Sequence, residues 1–357
     1  MSNIYDAKEM TLHLVYPHKN SISAPNVIGF KLAEELRKYF DVVTYNWDSI
    51  RKITPKQGDI LIGHSHPFPF TVFRRSLENT GWSRKILMQP YNSEWSQIGY
   101  IDDVIDKCDL YLAITGDYWF NRVANDNASR WLPKMIQLNL AVDRNQFSNL
   151  KEFFNPEGKR KFIYIGNDHP GKNLPYLREI ASRLGSYEFA WAGKGTSFPE
   201  LKSLGYVDFS SPEGRKLVSK YDFMITVGNA DANPTTILEA LSWGLIPVCT
   251  PTSGYQDEMG IVNIPLNDVN KACAIIEDLQ AMDSEKLSRI SSSGSKILSE
   301  KYNWRNFFEI VSNSIGSDYS PKIATRIFSP YSNPPAYGHK MLAKLFVNNI
   351  LDLLGRR

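Results

Sequence analysis

One stretch decides the fold of the second half of this chain: NADANPTTILEALSWGLIPVCTPTSG (229–254). A buried strand is predicted just before it, and Pro234 suits the first turn of the helix that follows, with Asn233 available as its cap. Gly244 is a natural left-handed stop for that helix, and the apolar run LIPVCT (245–250) predicts the next strand. A strand, a helix and a strand in this order predict a unit of parallel sheet.

The start of this helix predicts a phosphate site. The first N–H groups of a helix have no partner within it, and together with the helix dipole they attract an anion. Thr235 and Thr236 stand at this point, with Asp231 in the loop before the helix and Glu239 a little more than one turn inside it. Because a carboxylate repels a phosphate, we expect the two acids to accept hydrogen bonds from hydroxyl groups on either side of the phosphates. The pattern therefore predicts a sugar linked to a nucleoside diphosphate as the ligand.

Alternating strand and helix patterns extend over both halves of the chain. In the first half, helical periodicity appears between apolar runs, as in PNVIGFKLAEELRKYF (25–40). The alternation returns after a polar break, SNLKEFFNPEGKRK (148–161), which we take as the interdomain connection. Continuous apolar strands predict an α/β protein with two doubly wound parallel sheets and a ligand cleft beyond the carboxyl ends of the strands. The predicted strands are 12–17, 41–46, 58–66, 84–90 and 108–115, then 162–166, 188–193, 205–209, 222–227 and 245–250.

Composition limits the class of protein. At 357 residues the chain is long enough for two domains of average size. Its net charge of +3, and the lack of a basic run with interleaved aromatic residues, argue against nucleic-acid binding. Cys108, Cys249 and Cys273 are widely spaced, which argues against disulfides and against a zinc site. The polar start and the lack of about 20 consecutive apolar residues predict a cytoplasmic protein.

The tail departs from the repeat. Residues 320–338 are rich in proline and predict an extended crossing segment, and HKMLAKLFVNNILDLLGRR (339–357) predicts a helix with one apolar face. We interpret this helix as packing on a domain surface. The alternative is a contact with the inner membrane surface, because Lys340, Lys344, Arg356 and Arg357 accompany the apolar stripe.

The chain resembles retaining glycosyltransferases of the GT-B fold, family 4. Their donor-site signature is an acid followed at fixed spacing by Glu-Ala, matched here by Asp231 and by Glu239 with Ala240. Gly244 and Pro247 also stand where that family has them. Three further blocks resemble segments of the family: KMIQLNLAVDRNQF (134–147), FIYIGNDHPGKNLPYLREIASRL (162–184) and LGYVDFSSPEGRKLVSKYDFMITVGN (204–229).

This resemblance implies two Rossmann-like domains, an acceptor domain over 1–155 that is joined by 318–357 and a donor domain over 156–317. It implies that Lys172 holds the donor diphosphate and that Asp231 binds the transferred sugar, which makes these two the catalytic candidates. Glu239 would bind the ribose. The implied donor-binding set is Gly166, Asn167, Asn233, Pro234, Thr235, Thr236 and Glu239. No metal and no other cofactor is expected, because the lysine and the helix dipole neutralise the departing diphosphate.

Three positions differ from the family pattern. Asp231 stands where Glu is usual, and Asn167 stands where Arg is usual, directly after Gly166. A histidine that usually follows a middle strand of the first domain is replaced at ILMQPYN by Gln89 or Tyr91. These differences permit an enzyme with altered donor preference, and they also permit a weakened or inactive one.

Other candidates lie at predicted strand ends. His64 and His66 alternate on an extended segment, so we expect opposite faces, with cleft lining and plain packing both open. Tyr91 is a further cleft or acceptor candidate. The remaining candidates are His18, Ser23 and Ala24 in the loop PHKNSISAPN (17–26), facing donor phosphates or acceptor, and Tyr206 and Val207 on the predicted strand 205–209, flanking the nucleotide base.

The sequence thus predicts a retaining glycosyltransferase acting in polysaccharide or glycoconjugate synthesis. It would pass a sugar from a nucleoside-diphosphate sugar to a hydroxyl of a glycan, lipid-linked or small-molecule acceptor. Two alternatives stay open. One is another GT-B chemistry, such as epimerisation or phosphorolysis. The other is a non-catalytic protein that binds nucleotide sugars or glycans.

Overall fold

The computed structural model describes residues 10–17, 23–144, 151–195 and 198–316, and these divide into two units. The first unit contains the described residues of 10–114, 122–138 and 308–316, and the second contains those of 115–121 and 139–307. Three predictions lie outside the described residues: the role of His18, the crossing segment 320–338 and the C-terminal helix 339–357.

The first unit is built on a parallel sheet. Its strands are β1 (Thr11–Val15), β2 (Asp41–Tyr45), β3 (Ile60–Gly63), β4 (Arg84–Pro90), β5 (Leu110–Ile114) and β6 (Met135–Leu138). Their order in the sheet is β2-β1-β3-β4-β5-β6. Its helices are α1 (Ala24–Leu36), α2 (Val72–Ser76), α3 (Trp95–Ile98) and α4 (Asp102–Ile105). The interior strands β3 and β5 are buried at every residue, whereas the edge strand β2 alternates.

The second unit repeats this architecture. Its strands are β7 (Lys161–Ile165), β8 (Glu188–Ala192), β9 (Lys202–Gly205), β10 (Phe223–Thr226), β11 (Ile246–Cys249) and β12 (Val262–Asn263), in the order β12-β11-β10-β7-β8-β9. Its helices are α5 (Asp117–Phe120), α6 (Leu174–Arg183), α7 (Pro212–Val218), α8 (Thr235–Trp243), α9 (Val269–Ala281) and α10 (Ser284–Glu300). A last helix, α11 (Trp304–Ile315), has residues in both units.

Aromatic side chains form the centre of the second unit. The rings of Phe162 and Phe189 stack with centroids 4.9 Å apart, and those of Phe162 and Phe223 with centroids 4.8 Å apart. The three residues lie on β7, β8 and β10, which are adjacent in the sheet. The strands that carry the loops of the candidate site therefore rest on one packed layer.

Most of the predicted elements are confirmed, and the structure corrects one. The predicted strand 205–209 is wrong, because β9 ends at Gly205, where the backbone has a φ of 67°. The elements that were not predicted are strands β6 and β12 and helices α2, α3, α4, α5 and α11. The contact-based division lies at Leu138 and Asn139, earlier than the predicted boundary at residue 155.

A buried ion pair fixes the start of the second sheet. The Lys151 ammonium lies 2.9 Å from an Asp222 carboxylate oxygen, with the side chains 4% and 0% exposed. Asp222 also accepts hydrogen bonds from the backbone N–H and side-chain amide of Asn155 and from the N–H of Lys161. Burial lowers the pKa of Lys151. These contacts bind residues 151–155 to the second unit.

We expect the Asp222→Asn variant to lose about 3–5 kcal/mol of free energy of unfolding, because it leaves the Lys151 ammonium buried without its counter-charge. Urea denaturation measures the loss. Asp106→Asn, which removes the carboxylate of an exposed ion pair with Arg130, is the control and should cost less than about 1 kcal/mol. Equal losses in the two variants would contradict the structural role of the buried pair.

Candidate functional site

The predicted helix of the opening stretch is confirmed. Helix α8 begins at Thr235 after Pro234 and stops at Gly244, whose φ is 84°. The N-cap is Pro234, so the prediction that Asn233 caps the helix is wrong. The Asn233 side-chain oxygen instead accepts hydrogen bonds from the backbone N–H of Leu140 at 3.3 Å and from the hydroxyl of Tyr255 at 3.2 Å. The N-terminus of α8 is thereby left without a side-chain cap.

Lys172 and Asp231, the two predicted catalytic residues, form an ion pair. Lys172 ends the 3-10 turn Pro170–Lys172 after β7, and Asp231 lies in the loop after β10. The two loops lie side by side because β7 and β10 are neighbouring parallel strands. The backbone N–H of Asn229 donates to the carbonyl of Gly171 at 3.1 Å and joins them. Both paired side chains keep part of their surface exposed, at 28% and 21%.

Two residues that the sequence did not indicate hold the backbone of Asp231. Its N–H donates to the carbonyl of Thr252 at 3.0 Å, and its carbonyl accepts from the indole N–H of Trp119 at 2.8 Å. Thr252 lies in the PTSG turn (251–254) at the end of the stretch 229–254, and this turn is the one sequence feature that could have indicated the contact. Trp119 is distant in sequence, and no pattern placed it here. The backbone of Asp231 is therefore fixed from both sides.

The loop after β7 is also anchored. The hydroxyl of Tyr164 donates to the carbonyl of Asn167 at 2.7 Å, and the indole of Trp191 donates to the carbonyl of Gly166 at 2.8 Å. A Cβ added to Gly193 would lie 1.8 Å from that Gly166 oxygen, so only glycine fits there. Asn167 itself is exposed and accepts from the N–H of His169 through its side-chain oxygen at 3.1 Å.

Glu239 lies inside α8, half-buried and hydrogen-bonded to Thr235 one turn earlier. Burial raises the pKa of Glu239 to about 7, and the hydrogen bond with Thr235 opposes the rise. At neutral pH this carboxyl therefore exists in both protonation states. Either state can accept a hydrogen bond from a ribose hydroxyl, so the predicted ribose contact is chemically feasible.

The two base-binding candidates follow the edge strand β9. Tyr206 is 60% exposed, and the Lys194 ammonium lies 5.1 Å from the centroid of its ring. Val207 is half-buried. Neither residue is on a strand, contrary to the prediction, since β9 has already ended. An exposed aromatic ring at this edge of the sheet is nevertheless available for stacking on a nucleotide base.

His64 and His66 do not point to opposite faces. The ring centroids of His64 and His66 lie 4.7 Å and 4.5 Å from that of the same indole, Trp47. The expected alternation fails because β3 ends at Gly63, before either histidine. Burial lowers the pKa of His64 to about 4 and that of His66 to about 4, so both are neutral at pH 7. The geometry supports aromatic packing.

The other first-unit candidates have structural partners. Tyr91 is 0% exposed and its hydroxyl donates to the Asp126 carboxylate, which argues against direct contact with an acceptor. Ser23 is the exposed N-cap residue of α1, and its hydroxyl accepts from the side chain of Asn26 at 2.6 Å. Ala24 is the first residue of that helix.

A hollow of about 350 Å³ opens on the first unit, away from every predicted site residue. Two of the cations that line it are already paired, Arg74 with Asp103 and Lys107 with Glu78. Within the described residues, no group of three or more His, Cys, Asp or Glu side chains could hold a metal ion. In the same part of the chain, no helix is long and apolar enough to cross a bilayer.

Comparisons with known proteins define the fold. Neither a protein-family model nor a curated protein matches the sequence. Sucrose-phosphate synthase from Thermosynechococcus elongatus is similar in structure, with a TM-score of 0.64 at 10% identity over 85% of this chain and 97% of its own. HepE from Anabaena, solved with UDP and glucose, has a TM-score of 0.60 at 9% identity over 86% and 99%.

A third structure, TarM from S. aureus, has a TM-score of 0.57 at 13% identity over 72% of this chain. The match spans 55% of TarM, so this chain corresponds to about half of that protein. These neighbours have the GT-B fold of glycosyltransferases. The predicted fold class, α/β with two Rossmann-like domains of the GT-B type, is confirmed.

The raised pKa of Glu239 predicts how stability depends on pH. The carboxyl binds its proton more tightly in the folded chain, so its contribution to stability is complete below about pH 4.5 and is lost as the pH rises through about 7. Relative to wild type, Glu239→Gln should therefore gain about 1–3 kcal/mol of free energy of unfolding between pH 5 and pH 8.

Urea denaturation at the two pH values measures this gain. The control is Glu285→Gln on α10, where the carboxylate side chain is 81% exposed, and it should show no such change with pH. A difference between Glu239→Gln and wild type that is the same at both pH values would contradict the assignment.

Proposed function

We propose that this protein is a glycosyltransferase that moves a sugar from a nucleoside-diphosphate sugar to an acceptor hydroxyl. The observation that carries the proposal is the ion pair of Lys172 and Asp231 beside the N-terminus of α8. It brings a cation, a carboxylate and the N-terminus of a helix without a side-chain cap to one edge of the second sheet. The ammonium and the helix N-terminus bind the negative charge of a diphosphate, and the carboxylate accepts hydrogen bonds from sugar hydroxyls.

In the proposed reaction, each group has one task. The Lys172 ammonium and the N–H groups of Thr235 and Thr236 stabilise the negative charge that develops on the departing diphosphate. Asp231 accepts hydrogen bonds from the transferred sugar and holds its reacting carbon in place. Glu239 accepts a hydrogen bond from the ribose. The bond from the sugar carbon to the phosphate oxygen breaks, the acceptor oxygen bonds to that carbon, and the proton of the acceptor hydroxyl passes to the departing diphosphate.

Further features follow from the resemblance to family 4. We propose that transfer is retaining, with the acceptor approaching on the face that the diphosphate leaves, and that it needs no divalent metal. We propose that the first domain binds a glycan, lipid-linked or small-molecule acceptor, and that the reaction belongs to polysaccharide or glycoconjugate synthesis in the cytoplasm or at the inner membrane surface.

The structural neighbours suggest which nucleotide to test first. HepE was solved with UDP and glucose, and TarM with UDP and an α-GlcNAc-glycerol. We therefore propose a UDP-linked hexose as the first donor candidate for this chain, with GDP-, ADP- and dTDP-linked sugars as the other members of the screen.

A non-catalytic nucleotide-sugar-binding protein is the second candidate. It is favoured by Asn167, an exposed neutral side chain where the resemblance expects arginine, and by Asp231, whose carboxylate is held by Lys172. Incubation of the screened donors with an acceptor library separates the two functions. Product that forms only in the presence of an acceptor supports transfer, whereas nucleotide binding without any sugar transfer to any acceptor supports the binding protein.

For the enzyme, we expect Lys172→Ala to lower turnover about 10²–10³-fold, because it removes a charge that stabilises the leaving diphosphate. Thermal unfolding without nucleotide should stay close to wild type, since the Lys172 side chain is part-exposed. Lys271→Ala, at an exposed lysine on α9, is the control and should keep full turnover. An unchanged transfer rate in Lys172→Ala would refute the proposal.

We expect Asp231→Asn to move binding and turnover in opposite directions. In wild type, the diphosphate competes with the Asp231 carboxylate for the Lys172 ammonium, so the neutral amide should raise UDP affinity about threefold to tenfold. Transfer should fall because the carboxylate no longer orients the sugar. Titration calorimetry with UDP and a transfer assay measure the two effects, and Asp278→Asn on the exposed face of α9 is the control. Weaker UDP binding in Asp231→Asn would contradict the competition.

A further inference from the structure

The side chain of Asn233 has an unsatisfied donor. Asn233 is 4% exposed, and its Nδ2 atom has no hydrogen-bond partner within the described residues. The orientation of this amide is fixed by chemistry. The backbone N–H of Leu140 can only donate, so the Asn233 atom that it meets must be the oxygen, and Nδ2 must point the other way. The hydroxyl of Tyr255 donates to the same oxygen and holds it.

The carbonyl groups around Asn233 are already engaged. The Asp231 carbonyl accepts from the indole N–H of Trp119 at 2.8 Å, and the Ala232 carbonyl accepts from the N–H of Gly116 at 3.0 Å. None of these carbonyls, and no other acceptor among the described residues, is hydrogen-bonded to Nδ2. Buried polar groups in folded proteins are nearly always hydrogen-bonded, so an oriented donor of this kind marks the place of an acceptor that the chain itself does not supply.

Asn233 also stands next to the N-terminus of α8. The helix has nine residues, begins at Thr235 and has no side-chain cap. Its first N–H groups and its dipole favour an anion. The helix terminus favours an anion, and the buried amide needs an oxygen that accepts a hydrogen bond, so a phosphate oxygen suits both.

We propose that the Asn233 side-chain amide is a donor-binding group that hydrogen-bonds the terminal phosphate of the nucleoside diphosphate. This inference rests on the proposed function and adds a side chain to the helix terminus and Lys172. The Asn233 amide carries no charge. Unlike Lys172, it therefore does not have to leave an ion pair with Asp231 before it can bind the phosphate. Leu140 and Tyr255 act as positioning residues, because they orient the amide through its oxygen.

The test is the ratio of UDP to UMP affinity, measured by titration calorimetry in wild type and in Asn233→Asp. The aspartate keeps an oxygen for Leu140 and Tyr255 and removes both N–H donors. We expect UDP binding to weaken at least tenfold and UMP binding to change less than threefold, because UMP lacks the terminal phosphate. GDP with GMP and ADP with AMP are measured in parallel. If Asn233→Asp does not fold, Asn233→Ser takes its place with the same direction expected.

Two controls separate binding from structure. Asn229→Asp adds the same charge at an exposed position of the same loop and should alter UDP affinity less than threefold. Tyr111→Phe removes a fully buried hydroxyl that donates to the Pro90 carbonyl in the first unit, and it should lower the unfolding temperature while leaving the UDP-to-UMP ratio within threefold of wild type.

The possible failures are distinct. If wild type binds none of the nucleoside diphosphates, the proposed function fails. If wild type binds UDP and Asn233→Asp binds it equally well, only the role of Asn233 fails, and Nδ2 then meets an ordered water. Equal weakening of UDP and UMP, or weakening of a UDP-sugar alone, also overturns the assignment to the terminal phosphate.

Discussion

The candidate site depends on the pairing of β7 with β10. These parallel strands end at the same edge of the second sheet, and the bond from the N–H of Asn229 to the carbonyl of Gly171 continues their pairing into the loops. This continuation brings the two charged residues of the site together: Lys172 lies one residue after Gly171, and Asp231 lies two residues after Asn229. The stacked Phe162 and Phe223 rings hold the two strands together below it.

The sequence was sufficient for features that local chemistry determines. A proline before two threonines and a glycine stop define α8, and buried apolar runs define the interior strands, because backbone sterics and burial act over a few residues. It was insufficient where a distant group decides. Asn233 is a residue type that often caps helices, yet its side-chain oxygen accepts hydrogen bonds from Leu140 and Tyr255 and does not cap α8. Nothing local shows that an indole, Trp119, will bind the Asp231 carbonyl.

Strand ends show the same limit. His64 and His66 follow a strand that has already ended, so the period of two does not apply and both rings reach the same indole. Strand β9 lies at a sheet edge and has an exposed, polar face, so its hydrophobic pattern is weak. The sequence therefore predicted a strand at 205–209, whereas β9 is Lys202–Gly205. The polar stretch before β7 hides a buried Lys151, which composition alone cannot distinguish from a solvated lysine.

The pairing of Lys172 with Asp231 gives each of the two charges of the site a partner within the chain. Under the proposed function, a free phosphate offers a replacement partner to the lysine only, and a free sugar offers one to the aspartate only. Each would leave one of the two charges without its partner. A nucleotide sugar offers a phosphate to the lysine and hydroxyl donors to the aspartate within one molecule, so the exchange leaves neither side chain without a partner. The site would then select ligands that carry both a phosphate and a sugar. Free phosphate and free sugar, which each carry only one of these groups, would compete weakly.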